Sequence, residues 1–118
     1  MTPEIAVGLP NYNFNMFVRS KKRNINDFKV SVIIDIVCKE FKVELSDLRS
    51  VSKKSTFRHP RHVAMHLLRH QSGLKLTDIG RLFGRHHTTV INALTSIDNL
   101  LEFDKKIRNE YHHLQRLI

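Results

Sequence analysis

What this 118-residue chain has little of narrows its reading first: it carries one cysteine, four glycines, three prolines and no tryptophan. A lone thiol, Cys38, excludes an intramolecular disulfide. No apolar run reaches the roughly 20 residues of a membrane span, and none has the core and cleavage site of a signal peptide. A G-x-x-x-x-G-K-[ST] stretch is missing, which excludes a P-loop nucleotide site. Paired carboxylates, a Cys-His dyad and a nucleophile elbow are also missing, and the histidines have no evident orienting acids, so no enzyme is expected. What remains is one domain with a modest core, in a soluble, reducing, cytoplasmic setting.

Acidic residues are the other scarcity. Eleven Asp and Glu face twenty Lys and Arg, for a net charge of +9. The surplus is uneven: residues 88–118 balance at four basic and four acidic, so the excess precedes Thr88. Between Arg49 and Arg69 six basic residues (Arg49, Lys53, Lys54, Arg58, Arg61, Arg69) occur with no acidic one, the footprint of a surface that follows phosphates. A solvated basic face is the plainer alternative.

Hydrophobic spacing organises the rest. Residues 1–24 show no period and read as an extended or disordered leader, with Pro3, Gly8, Pro10 and the basic run from Arg19 to Arg23. The domain spans 25–118. Val30, Ile33, Ile34, Val37 and Phe41 lie on one face of a helix capped near Asn26 or Asp27, and Leu45 and Leu48 form a short turn of helix. A basic loop, Arg49–His59, leads to a helix begun by Pro60, whose missing N–H suits a first helical position. That helix breaks at Ser72-Gly73. A short helix Leu76–Phe83, a turn at Gly84-Arg85 and a helix opening at His87-Thr88-Thr89 complete a helix-turn-helix, with facing stripes of Ile79, Leu82 and Phe83 against Val90, Leu94, Ile97 and Leu101. Beyond Leu101, the residues Phe103, Ile107, Tyr111, Leu114 and Ile118 predict a last helix that folds back on the body, the alternative being a stripe that pairs with another copy.

The matches Pro60-Arg61, Ala64-Met65, Leu76, Ile79-Gly80, Phe83-Gly84-Arg85 and His87-Thr88-Thr89-Val90 resemble the C-terminal DNA-binding domain of the bacterial replication initiator DnaA, over roughly Asn26 to Leu101. The resemblance implies an all-α, Trp-repressor-like helix-turn-helix of about six helices, without the initiator's nucleotide-binding motor. It places Lys53 where the family inserts an arginine into the minor groove. Its ammonium is a more strongly hydrated point charge and reads groove width less sharply. Lys54 and Arg58 follow as phosphate contacts, with merely solvated charges as the alternative. Arg61, His62, Arg69 and Ser72 fall at the family's phosphate positions, and Leu76 and Thr77, which open the first helix of the motif, are expected to bind DNA beside them.

Arg85, His86, His87, Thr88, Thr89 and Asn92 are expected at the reading edge, with threonine methyls against thymine and hydroxyls on phosphate or base edges. Two departures stand there. The turn is one glycine shorter than the family's G-G-R-D-H-T-T, and His86 replaces an aspartate that accepts from cytosine; the cognate box is therefore expected to differ. Asn92 replaces a histidine and keeps an amide for phosphate. His62, His66 and His70 repeat every four residues, yet no cysteine joins them and their spacing matches no closed site, so surface or DNA-facing histidines are expected, with no metal and no cofactor. The function implied is sequence-specific binding of a DnaA-box-like duplex by a monomer or weak homodimer, in the control of replication initiation or of transcription, in the nucleoid-associated cytoplasm. The alternative is an adaptor for a replication protein, with only loose affinity for DNA.

Overall fold

A computed structural model describes residues 25–118, so the expected leader lies outside the described residues. Six helices and no strand occur among them: α1 Ile25–Phe41, α2 Leu45–Arg49, α3 Ser55–Ser72, α4 Leu76–Phe83, α5 His87–Phe103 and α6 Lys105–Leu117. The all-helical reading and the helix-turn-helix formed by α4 and α5 are both present.

Helix α1 buries Val30, Ile33, Ile34 and Val37, the stripe its sequence predicts. It stops at Lys42, whose left-handed φ of 57° lets the Val43 N–H donate to Cys38 O at 3.0 Å. Burial, and next the charge of Asp35, pushes the Cys38 thiol up to about 12, so it packs as an unreactive apolar group. The Asp47 carboxylate accepts from the Glu44 N–H at 3.0 Å and caps α2, which contributes Leu45 and Leu48 to the core. Helix α3 is central and packs on α1, α2, α4 and α5. Its face of Val63, Ala64, Leu67 and Leu68 is fully buried, joined by Met65.

The start of α3 corrects the sequence reading. Pro60 is not its first residue. The helix begins at Ser55, and the expected loop shrinks to residues 50–54. Proline inside a helix removes one backbone bond, and the residue before it disfavours helical backbone. Tertiary contacts override both. Phe57 packs on the core, His59 meets Glu110 of α6 at 2.9 Å, and the His59 ring stands edge-on to Phe41 of α1 at 5.6 Å.

Helix α6 docks on the body, burying Tyr111 and Leu114 against α5 and α1. Asp104 alone makes the corner, accepting from the Ile107 N–H at 3.1 Å. The Arg108 guanidinium donates back to Leu101 O and Glu102 O at the end of α5, where the helix dipole favours a cation.

Candidate nucleic-acid interface

The start of α5 is built by the turn before it. Gly84 adopts a φ of 68°, and the Arg85 N–H donates to Gly80 O at 2.7 Å, folding the chain tightly onto α4. A Cβ on Gly80 would lie 2.4 Å from Arg85 O, so only glycine leaves room for this return. His86 then caps α5: its Nδ1 accepts the Thr88 N–H at 3.2 Å and lies 2.9 Å from Thr88 Oγ1. Val90, Ala93 and Ile97 anchor the helix in the core. His86, His87, Thr88, Thr89 and Asn92 stand exposed, with the dipole's positive end among them.

Arginines tie the segment 50–54 beside this turn. Arg61, expected at a phosphate, is only 4% exposed. Its Nε donates to Leu48 O at 2.6 Å, and its Nη2 to Ser50 O and Ser52 O, both at 3.1 Å. Arg85 comes from the other side, donating to Ser50 O, to Phe83 O at 2.9 Å and to Arg49 O at 3.3 Å. Arg49 closes the link by donating to Leu82 O at 2.6 Å. Arg61 and Arg85 therefore position the segment that carries Lys53, a role their spacing in sequence could not signal. Burial lowers the pKa of both, and at Arg61 the charges of Arg85 and Arg58 add to it.

A shallow cleft of about 210 Å³ results, lined by Lys53, Arg58, Arg61, His62, Arg85 and Thr89, with the buried Met65 and the exposed Val51 as its apolar members. Its charged walls are all basic, so an anion is the group it suits. Burial, then the charges of Arg61, Arg58, His59 and Arg85, lowers the half-buried His62 imidazole from 6.5 to about 4. His62 is accordingly a neutral hydrogen-bonding group at pH 7. The unfolded ring takes a proton as pH falls past 6.5, whereas the folded ring does so only near 4. Stability from this site is therefore full above pH 6.5 and is lost as pH falls to about 4. After discounting for solvent screening, we expect a loss of about 1–2 kcal/mol across that window. Urea unfolding of parent and His62→Gln at pH 7 and pH 5 checks it: the variant should lose less stability at the lower pH, and parallel losses would contradict the assignment.

The remaining expected residues lie elsewhere. Arg69 and Ser72 are near the far end of α3, with Ser72 about 16 Å along the axis from Arg61. Arg69 is exposed and donates to Leu74 O at 3.0 Å; the Ser72 hydroxyl donates to Leu68 O at 2.5 Å. Leu76 packs half-buried on the core, Thr77 is exposed at the start of α4, and Lys54 is exposed at the start of α3. His66 departs most from expectation. It is 5% exposed, with Nδ1 2.6 Å from Tyr111 Oη and Nε2 2.7 Å from Asp98 Oδ1. Burial lowers its pKa against the raising effect of the Asp98 hydrogen bond.

The family described as "Bacterial dnaA protein helix-turn-helix" matches residues 30–97. The chain is 33% identical over 114 residues to the chromosomal replication initiator protein DnaA of Caldanaerobacter subterraneus, covering 97% of this chain and 25% of that one. It is 37% identical over 78 residues to the DnaA of Thermomicrobium roseum (65% and 17% covered) and 38% identical over 90 residues to that of Xanthobacter autotrophicus (75% and 18% covered). The chain thus spans at most about a quarter of the length of these relatives. With the match covering α3, α4 and most of α5, the chain belongs to the bacterial DnaA helix-turn-helix family, a DNA-binding module.

Proposed function

We propose that this chain reads a short, asymmetric box in duplex DNA, with α5 in the major groove and the basic cleft against the phosphate backbone. The observation that carries the reading is the adjacency of the cleft to the exposed start of α5, since Thr89 belongs to both. Phosphate contacts hold the register while the neighbouring side chains meet base edges. Lys53, on the segment tied down by Arg61 and Arg85, is the residue for the adjacent minor groove. Lys54, Arg58, Arg69, Ser72 and Thr77 take phosphates, and Arg61 and Arg85 contribute charge while holding the segment in place. The relatives' name, chromosomal replication initiator protein, supports a setting in the control of replication initiation, which for this chain would lie on the nucleoid in the cytoplasm. Because Tyr111 and Leu114 are buried in the body, α6 has less apolar surface to offer an adaptor's partner.

The capping bond also supports a reading for His86. A ring nitrogen that accepts an N–H carries no proton, so the neutral ring holds its proton on Nε2 and presents a donor outward. Guanine O6 and N7, adenine N7 and thymine O4 suit that donor, whereas the cytosine amine does not.

Selection from a randomised duplex library at near-physiological salt tests the reading. The parent should enrich one short box with an acceptor base at the position facing His86. Thr88→Ala/Thr89→Ala, both at exposed positions, should flatten the selection by roughly 10- to 1,000-fold while leaving the fold intact. An unselective parent whose binding simply fades with added salt would refute specific reading.

A further inference from the structure

Outside the DNA-facing edge, one side-chain cluster is assembled from three helices. His66 and His70 stand one turn apart on α3, their ring centroids 4.3 Å apart. Asp98 reaches them from α5, its Oδ1 2.7 Å from His66 Nε2. One donor atom from each of the three residues lies within 4.8 Å of the others. Behind them, Tyr111 of α6 holds the other nitrogen of His66 at 2.6 Å. The sequence offered only the histidines of α3 and no further ligand; Asp98 is supplied by the packing of α5 on α3.

The geometry points to a divalent transition-metal site, best suited to Zn²⁺, formed by His66 Nε2, His70 and Asp98. The donor set is two imidazoles and a carboxylate, the chemistry zinc accepts. Histidines at i and i+4 on one face are a chelating spacing, because one turn brings both rings to the same ion. Bonds of about 2.0–2.2 Å in a tetrahedral arrangement separate ligand atoms by roughly 3.3 Å. Reaching that spacing requires the 2.7 Å contact to open slightly and the wider ones to close. Two of the ligands have room to move, since His70 is exposed and the Asp98 side chain is 63% exposed.

Tyr111 completes the arrangement. Without metal, His66 Nε2–H donates to Asp98 and Nδ1 accepts the Tyr111 hydroxyl. With metal on Nε2, the ring's proton sits on Nδ1 and donates to Tyr111 Oη, the outer hydrogen bond that metal-binding histidines use to fix their orientation. The exposed side of Asp98 is the entry path and leaves a fourth position for water. Bound there, the ion would staple α3 to α5. The inference does not depend on which DNA sequence is read.

Titration of the 118-residue chain with Zn²⁺, and with Co²⁺ as a visible-absorbing substitute, decides the matter. One equivalent should bind, and Tm should rise by roughly 10–15 °C at a hundredfold excess of Zn²⁺ over its Kd. His70→Ala, at an exposed position where folding is unaffected, should weaken binding at least tenfold, as should Asp98→Asn. The doubles His86→Ala/His87→Ala and His112→Ala/His113→Ala remove the other neighbouring histidine pairs and should leave it intact. Binding that survives His70→Ala and Asp98→Asn but falls with either double, or no stoichiometric binding at all, would overturn the site.

Discussion

Arg61→Ala should cost about 3 kcal/mol of stability and lower Tm by roughly 10–20 °C, more than any single loss of surface charge would give. The guanidinium is 4% exposed and donates to three carbonyls from Leu48 to Ser52. Truncation removes all of these bonds together and leaves the acceptors to find water. Hydrogen bonds from a charged donor contribute about 1.5–3 kcal/mol each, and sharing one side chain makes them less than additive. Arg61→Lys should recover less than half of the loss, because an ammonium lacks the planar fork that reaches separated acceptors. DNA affinity should fall by more than the missing charge explains, since Lys53 loses its positioned backbone. Thermal unfolding beside the salt dependence of binding measures both effects. An Arg61→Ala variant within about 1 kcal/mol of the parent would show that the segment holds itself.

Gly80→Ala tests the turn. By helix propensity alone, alanine within α4 should stabilise by about 1 kcal/mol. The return of the chain reverses that sign, because the new Cβ would lie 2.4 Å from a backbone oxygen that cannot rotate away. We expect a net loss of about 2–4 kcal/mol, at the upper end of overpacking penalties, and loss of base preference in the molecules that still fold, because His86 and α5 are placed by that turn. Gly73→Ala is the comparison. Gly73 has a φ of 69° with nothing within 4 Å of the added Cβ, so it should cost only the left-handed strain of about 1–2 kcal/mol. Urea unfolding of both variants separates clash from strain, and a stabilised Gly80→Ala would refute the account of the turn.

The same two residues show where legibility in sequence ends. Pro60-Arg61 and Ile79-Gly80 are recognisable as family matches, and the match does locate the fold correctly. What each residue does is a different matter. The family match puts Arg61 at a phosphate position but is silent on its buried contacts, because its three acceptors belong to α2 and the segment after it. The start of α3 was misplaced for a related reason: the local preference of proline for a first turn gave way to the contacts of Phe57 and His59 with the core and α6.

By itself, the sequence determined that residues 25–118 are all-helical, where the apolar stripes of α1, α4 and α5 fall, where Gly73 and Gly84 end their helices, and that α5 opens with histidine and threonine. Those features follow from period and from backbone freedom, which are local. Only the tertiary structure decided which basic groups share a cleft, which arginines hold the backbone instead of facing outward, and that His66, His70 and Asp98 converge. These depend on contacts between helices far apart in the chain, and the angles at which α3, α5 and α6 cross are set by packing that no local pattern encodes.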